Sequence, residues 1–203
     1  ATHYTALQCC NNEGGAQRVF EFSDGIEMEI LYNYFYEYDS DKENNYSVCL
    51  MFNQGDKHFL FTGDLEKEGE EYLVQYNELP KVELFKAGHH GSGTSSNDAL
   101  LSVIKPKIVC VCCCAGTDEY TDTPANQFPT QDMIDRVAAY TDRVYVTSLG
   151  DESAEGGYTS MNGNIVVTSD GSGVSVNCSA SNTLLKDTEW FKNNRKMPQE
   201  WAA

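Results

Sequence analysis

Two histidines and one aspartate carry the chemistry this sequence is equipped for. His89 and His90 sit between glycines in the run Lys86-Ala87-Gly88-His89-His90-Gly91-Ser92, and Asp64 closes the earlier run Phe59-Leu60-Phe61-Thr62-Gly63-Asp64. Each run is a short apolar stretch ending in polar residues, the pattern of a strand that leads into a loop. A carboxylate leaving one strand and imidazoles leaving the next can converge on one ion. Neutral imidazole and carboxylate are good ligands for zinc, manganese or iron, so the pattern points to metal-assisted hydrolysis. Each piece also has a plain explanation: Asp after a strand often only caps the next helix, and a His pair can be a surface feature. The flanking glycines weigh against the second, because they leave little side-chain bulk beside the imidazoles.

The elements that must position these residues follow from periodicity and turn residues. Arg18–Phe22 and Ile26–Tyr32 read as a hairpin around Ser23-Asp24-Gly25, and Tyr46–Asn53 with Lys57–Thr62 as a second one. The first 17 residues read as irregular. Tyr34–Asn45 reads as an aromatic loop that lines a pocket or, the favoured reading, packs over the sheet. Leu65–Tyr76 has an amphipathic helical pattern, Val82–Lys86 is a buried strand, and Ser95 with Asp98 resembles a capping box for a helix through Ile104. Lys107–Cys114 is a strand apolar enough to be covered on both faces. Thr130 starts a helix, Arg143–Ser148 is a strand, Asn164–Ser169 and Gly173–Cys178 form a late hairpin, and residues 184–203 hold a last helix or tail. The expected class is α/β of the α+β type, a mixed sheet with helices packed on it.

The 203 residues suit a single domain. With 14 basic against 31 acidic residues the net charge is −17, which disfavours non-specific binding to nucleic acid or an anionic membrane. The acidic residues, densest at Glu66, Glu68, Glu70 and Glu71, read as a solvated surface. Four of the eight cysteines lie in Ile108-Val109-Cys110-Val111-Cys112-Cys113-Cys114-Ala115, where neighbours alternate faces and cannot easily share one metal. They read as reduced core thiols, which favours a cytoplasmic location; a removed leader would leave an extracytoplasmic one open. No stretch is long and apolar enough to span a membrane, and no signal peptide is visible.

Taken together, Asn45-Tyr46-Ser47-Val48, Thr62-Gly63-Asp64-Leu65-Glu66, Glu68-Gly69-Glu70-Glu71, Leu84 to Ser92, Thr94-Ser95-Ser96 and Lys105-Pro106-Lys107 resemble the metallo-β-lactamase superfamily, in particular its ComEC-like (DNA-uptake) branch. The resemblance runs from about Asn45 to Val111, and more weakly to Cys178. It implies an αββα sandwich with two metals where the sheets meet. It implies a bridging role for Asp64, a ligand or substrate contact at His89 and His90 with His90 the favoured ligand, and substrate or neighbouring-ligand contacts at Ser92, Gly63 and Asn126. The implied reaction is attack of a metal-bound hydroxide on an ester-type bond, phosphodiesters first. The implied cofactor is a divalent metal, zinc before manganese or iron.

The departures from that family are informative. Its His-x-His-x-Asp-His motif is absent. The two remaining histidines are His58, which reads as an exposed turn residue, and His3 in the irregular start. The chain therefore reads as a partial domain, the C-terminal half of the sandwich, expected to hold metal weakly or incompletely and to lack full activity by itself. Its bare sheet face would invite a homodimer or domain swap. In Asn126-Gln127-Phe128-Pro129-Thr130, Phe128 stands where the branch carries a histidine. The alternative function is a non-catalytic binding or assembly domain of the same fold with a degenerate site; an unrelated α/β binding module, with an incidental His pair, comes third.

Overall fold

The computed structural model describes residues 1–23 and 25–202; Asp24 of the first expected turn lies outside them. Eight strands form one sheet in sequence order: β1 (Val19–Ser23), β2 (Ile26–Leu31), β3 (Cys49–Gln54), β4 (Lys57–Phe61), β5 (Leu84–Lys86), β6 (Ile108–Ala115), β7 (Val144–Gly150) and β8 (Tyr158–Ser160). The first four pair antiparallel, β1 with β2 and β3 with β4 through short turns and β2 with β3 across the long aromatic loop. From β4 to β7 the pairing is parallel, and each step is bridged by a helix: α2 (Lys67–Tyr76), α3 (Asp98–Ile104) and α4 (Gln131–Ala138). Parallel neighbours need such crossovers because the chain must return to the same end of the sheet. The sheet is thus mixed, with helices packed on it, as the sequence leads one to expect.

Strand alternation sorts the side chains. Leu60, Phe85, Val109, Val111 and Val146 point to the helical side and are completely buried with Leu73, Leu101 and Ile134. Fully burying side chains of this size stabilises by roughly 1.5–3 kcal/mol each. Phe59, Phe61, Leu84 and Cys110 point to the other face. There a separate two-stranded sheet, β9 (Ile165–Ser169) and β10 (Val174–Cys178), covers part of the surface. An apolar groove of about 630 Å³ remains between them, with Phe52, Phe59, Phe61, Ile165 and Lys86 in its walls.

Several sequence expectations are corrected. Residues 1–17 contain α1 (Ala6–Asn11), closed by a reciprocal capping box between Thr5 and Gln8. His58 is not a turn residue: it lies on β4, half-buried, with Nδ1 2.7 Å from Asn53 Oδ1. Asn97 rather than Ser95 is the N-cap of α3, and the Ser95 hydroxyl instead donates to the Leu65 carbonyl at 2.7 Å. The acidic cluster is not wholly solvated, since Glu66 and Glu70 are buried. Among the cysteines, Cys49 and Cys110 are core thiols, but Cys112 is exposed; all eight are free. The aromatic loop does pack: Tyr34 stacks between Tyr38 and Tyr72, each with ring centroids 4.2 Å away. No helix among the described residues is long and apolar enough to cross a membrane.

Candidate functional site

Because β4, β5 and β6 run parallel, their carboxyl ends open on one edge of the sheet, where open α/β sheets place their ligands. β4 leads into Thr62-Gly63-Asp64. Gly63 has φ +58, and a Cβ there would lie 2.9 Å from Ser47 Oγ, so no other residue suits the turn. The same hydroxyl accepts the Asp64 N–H at 2.9 Å. The α2 N-cap is Glu66, so Asp64 is no helix cap, and its side chain stays about a third exposed at 36%.

β5 leads into a tight turn over Gly88–Gly91, in which His89 (φ 45) and His90 (φ 55) are both left-handed. That conformation costs a non-glycine residue roughly 1–2 kcal/mol, and such strain tends to collect at functional sites. The turn is tied down all round. His89 N–H donates to the Gly63 carbonyl at 3.1 Å, and Thr130 N–H donates to the Gly91 carbonyl at 3.0 Å. Gly88 N–H donates to Ser96 Oγ at 3.2 Å.

The two imidazoles diverge, with ring centroids 6.3 Å apart. His90 Nδ1 lies 2.7 Å from the Cys112 carbonyl. A carbonyl only accepts, so Nδ1 carries the proton, and Nε2 is turned to within 3.5 Å of Asp64 Oδ2. The carbonyl comes from a bulge in β6, where pairing with β7 shifts between Val111 and Cys114. There Thr147 Oγ1 accepts from Cys113 N and donates to the Cys113 carbonyl. His89 instead sets Nδ1 3.2 Å from Thr94 Oγ1, itself 3.1 Å from Ser92 Oγ, and meets the Phe128 ring at 5.8 Å. Asn126 is exposed at the end of a short turn, and its side chain makes no hydrogen bond to Asp64, His89 or His90. The structure therefore brings together Asp64 and His90 and places His89, Ser92 and Phe128 beside them, with Asn126 not hydrogen-bonded to the pair.

Three contributors were not legible in the sequence. The Cys112 carbonyl is a backbone group exposed by a bulge, which residue types do not announce. Glu70 sits in what looks like an acidic surface run, yet it is fully buried and accepts from Ser96 N at 2.6 Å and from Asn97 N at 2.7 Å. Burial pushes its carboxyl up to about 7, against the pull of those N–H groups and of Arg136. Arg136 holds the same loop from the other side by donating to the carbonyls of Ser96, Gly93 and Ser95, all at 2.9 Å. The third is Tyr120, stacked on Phe128 at 5.4 Å and 63% exposed. Glu119 above all, with Asp64 adding to it, holds its phenol above the ordinary range.

In its neutral form His90 faces Asp64 with a bare lone pair, so two acceptors oppose each other with no proton between them. A cation would satisfy both, and the Nδ1 bond to a backbone carbonyl is the usual orienting partner of a ligand histidine. The residues fit a metal as part of a site. Among the described residues no group of three His, Cys, Asp or Glu converges, whereas a catalytic zinc takes three protein ligands.

Residues 41–115 match the family model of the metallo-beta-lactamase superfamily. That stretch contains Asp64, His89, His90, Glu70 and the β6 bulge, and the mixed sheet with its helices is consistent with that fold, so over these residues the chain is similar to this superfamily. Its relatives include a protein named for competence. It is 31% identical over 104 residues to "ComE operon protein 3" of Bacillus subtilis (strain 168), covering 50% of this chain and 13% of that protein. It is 31% identical over 127 residues to "Competence protein ComA" of Neisseria gonorrhoeae, covering 62% and 17%. It is 32% identical over 69 residues to "Recombination protein 2" of Haemophilus influenzae (strain ATCC 51907 / DSM 11121 / KW20 / Rd), covering 34% and 8%. The chain thus spans less than a fifth of the length of these relatives, and the names of the first two are consistent with the ComEC-like branch.

Proposed function

We propose that this chain is the C-terminal, site-bearing half of a metal-dependent hydrolase of the metallo-β-lactamase superfamily, acting on an ester-type bond, with phosphodiesters the favoured class. The observation that carries the reading is the Asp64–His90 pair at 3.5 Å, held by the Cys112 carbonyl at the carboxyl ends of parallel strands. Asp64 and His90 would hold a divalent metal, zinc first, which when bound lowers the pKa of water and draws charge off the bond being cleaved. Cys112 fixes the His90 tautomer. His89, turned to the Phe128 side, is placed to contact substrate, and Ser92 orients it through Thr94. The remaining ligands would come from a second β-layer on the face around Phe59 and Phe61, which β9 and β10 cover only in part.

A panel of phosphodiester, lactone and thioester substrates, assayed with zinc and with manganese on a polypeptide containing both layers, tests the proposal. Turnover that requires metal and is lost in Asp64→Asn supports it. The second reading, a non-catalytic domain with a degenerate site, is favoured by Phe128, which can neither donate a hydrogen bond nor bind a metal. It requires no turnover across the whole panel.

A further inference from the structure

We propose that Tyr120 and Phe128 form an aromatic shelf beside the Asp64–His90 pair, and that the shelf takes a planar aromatic or heteroaromatic group of a small substrate. The inference rests on the reading of Asp64 and His90 as the reacting site and adds what lies next to the bond cleaved. Three rings run in a row from solvent to the His pair. Tyr120 stacks on Phe128 with centroids 5.4 Å apart and planes 30° apart, and Phe128 meets His89 edge-on at 5.8 Å and 62°. Tyr120 is the most exposed large aromatic or apolar side chain among the described residues, at 63%. One of its faces rests on Phe128, which leaves the other to a ligand.

The chemistry of the shelf follows from its members. Phe128 offers no hydrogen bond, so it adds surface and shape rather than proton transfer. Every planar ring has a π-face, so such a shelf selects for planarity and not for one ring's edge pattern. The loop that carries Tyr120 also carries Asp118, Glu119 and Asp122, in a chain of net charge −17. These carboxylates repel a long polyanion, which leaves small esters of low charge that bear a ring.

The test compares adenosine 5′-monophosphate with ribose 5-phosphate, which share the phosphate and the sugar but not the ring, by NMR titration of this chain without added metal. The expected result is binding of the nucleotide about tenfold tighter than the sugar phosphate, within the range for stacking on one aromatic side chain, with shifts centred on residues 117–128. Tyr120→Ala abolishes the preference, Phe128→Leu weakens it, and Tyr120→Phe keeps it. Equal affinities, no shifts at millimolar nucleotide, or a preference that survives Tyr120→Ala would each overturn the shelf. Turnover is not the readout. An inactive protein that still prefers the nucleotide sinks the hydrolase reading alone, and an active one blind to the ring sinks the shelf alone.

Discussion

His90 turns its Nε2 to within 3.5 Å of Asp64 Oδ2 because its other ring nitrogen is held 2.7 Å from the Cys112 carbonyl. Three parallel strands thus contribute one group each: a carboxylate after β4, an imidazole after β5 and a backbone acceptor from the bulge in β6. The arrangement orients the imidazole before any ligand arrives, which lowers the entropy cost of binding.

The His turn is strained, and its strain is testable. His89→Gly should raise stability by about 1 kcal/mol, since glycine meets little penalty at φ 45. Gly91→Ala should do the reverse. Its Cβ would lie 2.9 Å from Val111 Cγ1 and 3.0 Å from Pro129 Cβ at φ +83, and overpacking with backbone strain costs on the order of 2–4 kcal/mol. Urea unfolding of the two variants reads both signs; a His89→Gly protein less stable than the parent would show that the imidazole's own contacts outweigh the backbone term.

Glu70 ties the Ser96–Asn97 loop to α2 and gives stability a pH dependence. Burial raises its carboxyl to about 7 from the ordinary 4.5, so the folded chain keeps this proton to higher pH than the unfolded chain does. Its contribution is full below the ordinary carboxylate pKa, is lost as pH rises through about 7, and is flat beyond. Relative to Glu70→Gln, the parent should lose on the order of 3 kcal/mol between about pH 4.5 and about pH 7. Denaturation curves for both proteins across that window check it, and parallel pH profiles would rule the assignment out.

The C-terminal residues are part of the core. α5 (Glu189–Asn194), capped by Thr188, buries Phe191, and Trp201 packs on Phe191 at 5.8 Å while its Nε1 donates to the Thr141 carbonyl at 2.9 Å. Trp201→Ala should cost about 3–5 kcal/mol, visible as a lower Tm. A loss below 1 kcal/mol would mean that the tail contributes little to folding.

Much of this organisation is readable from residues alone, and the gaps have physical causes. The central strands were legible because Phe59–Phe61, Leu84–Phe85 and Ile108–Val111 are short apolar runs, and the first two are followed by turn or cap residues that carry Asp64 and the His pair. The β8 strand was missed because Tyr158, Thr159 and Ser160 are all exposed on a sheet edge, which removes the alternation that marks a strand. The α1 helix left a signal in Thr5 and Gln8, but six residues are too few to show a helical period. The difference in role between His89 and His90 depends on a backbone carbonyl in another strand, so no spacing rule reveals it. Glu70 looks like its exposed neighbours because the two loop N–H groups that justify its burial lie 26 and 27 positions away.

We propose that Asp64 and His90 hold a divalent metal directly and that His89 does not. Zinc affinity, measured by competition with a chromophoric chelator on the parent chain and on His90→Ala, Asp64→Asn and His89→Ala, tests it most directly. Weak binding of a single equivalent is expected, lowered by at least about tenfold in His90→Ala and in Asp64→Asn, with His89→Ala within about threefold of the parent, a change of under 1 kcal/mol. Zinc affinity unchanged in both His90→Ala and Asp64→Asn would contradict it.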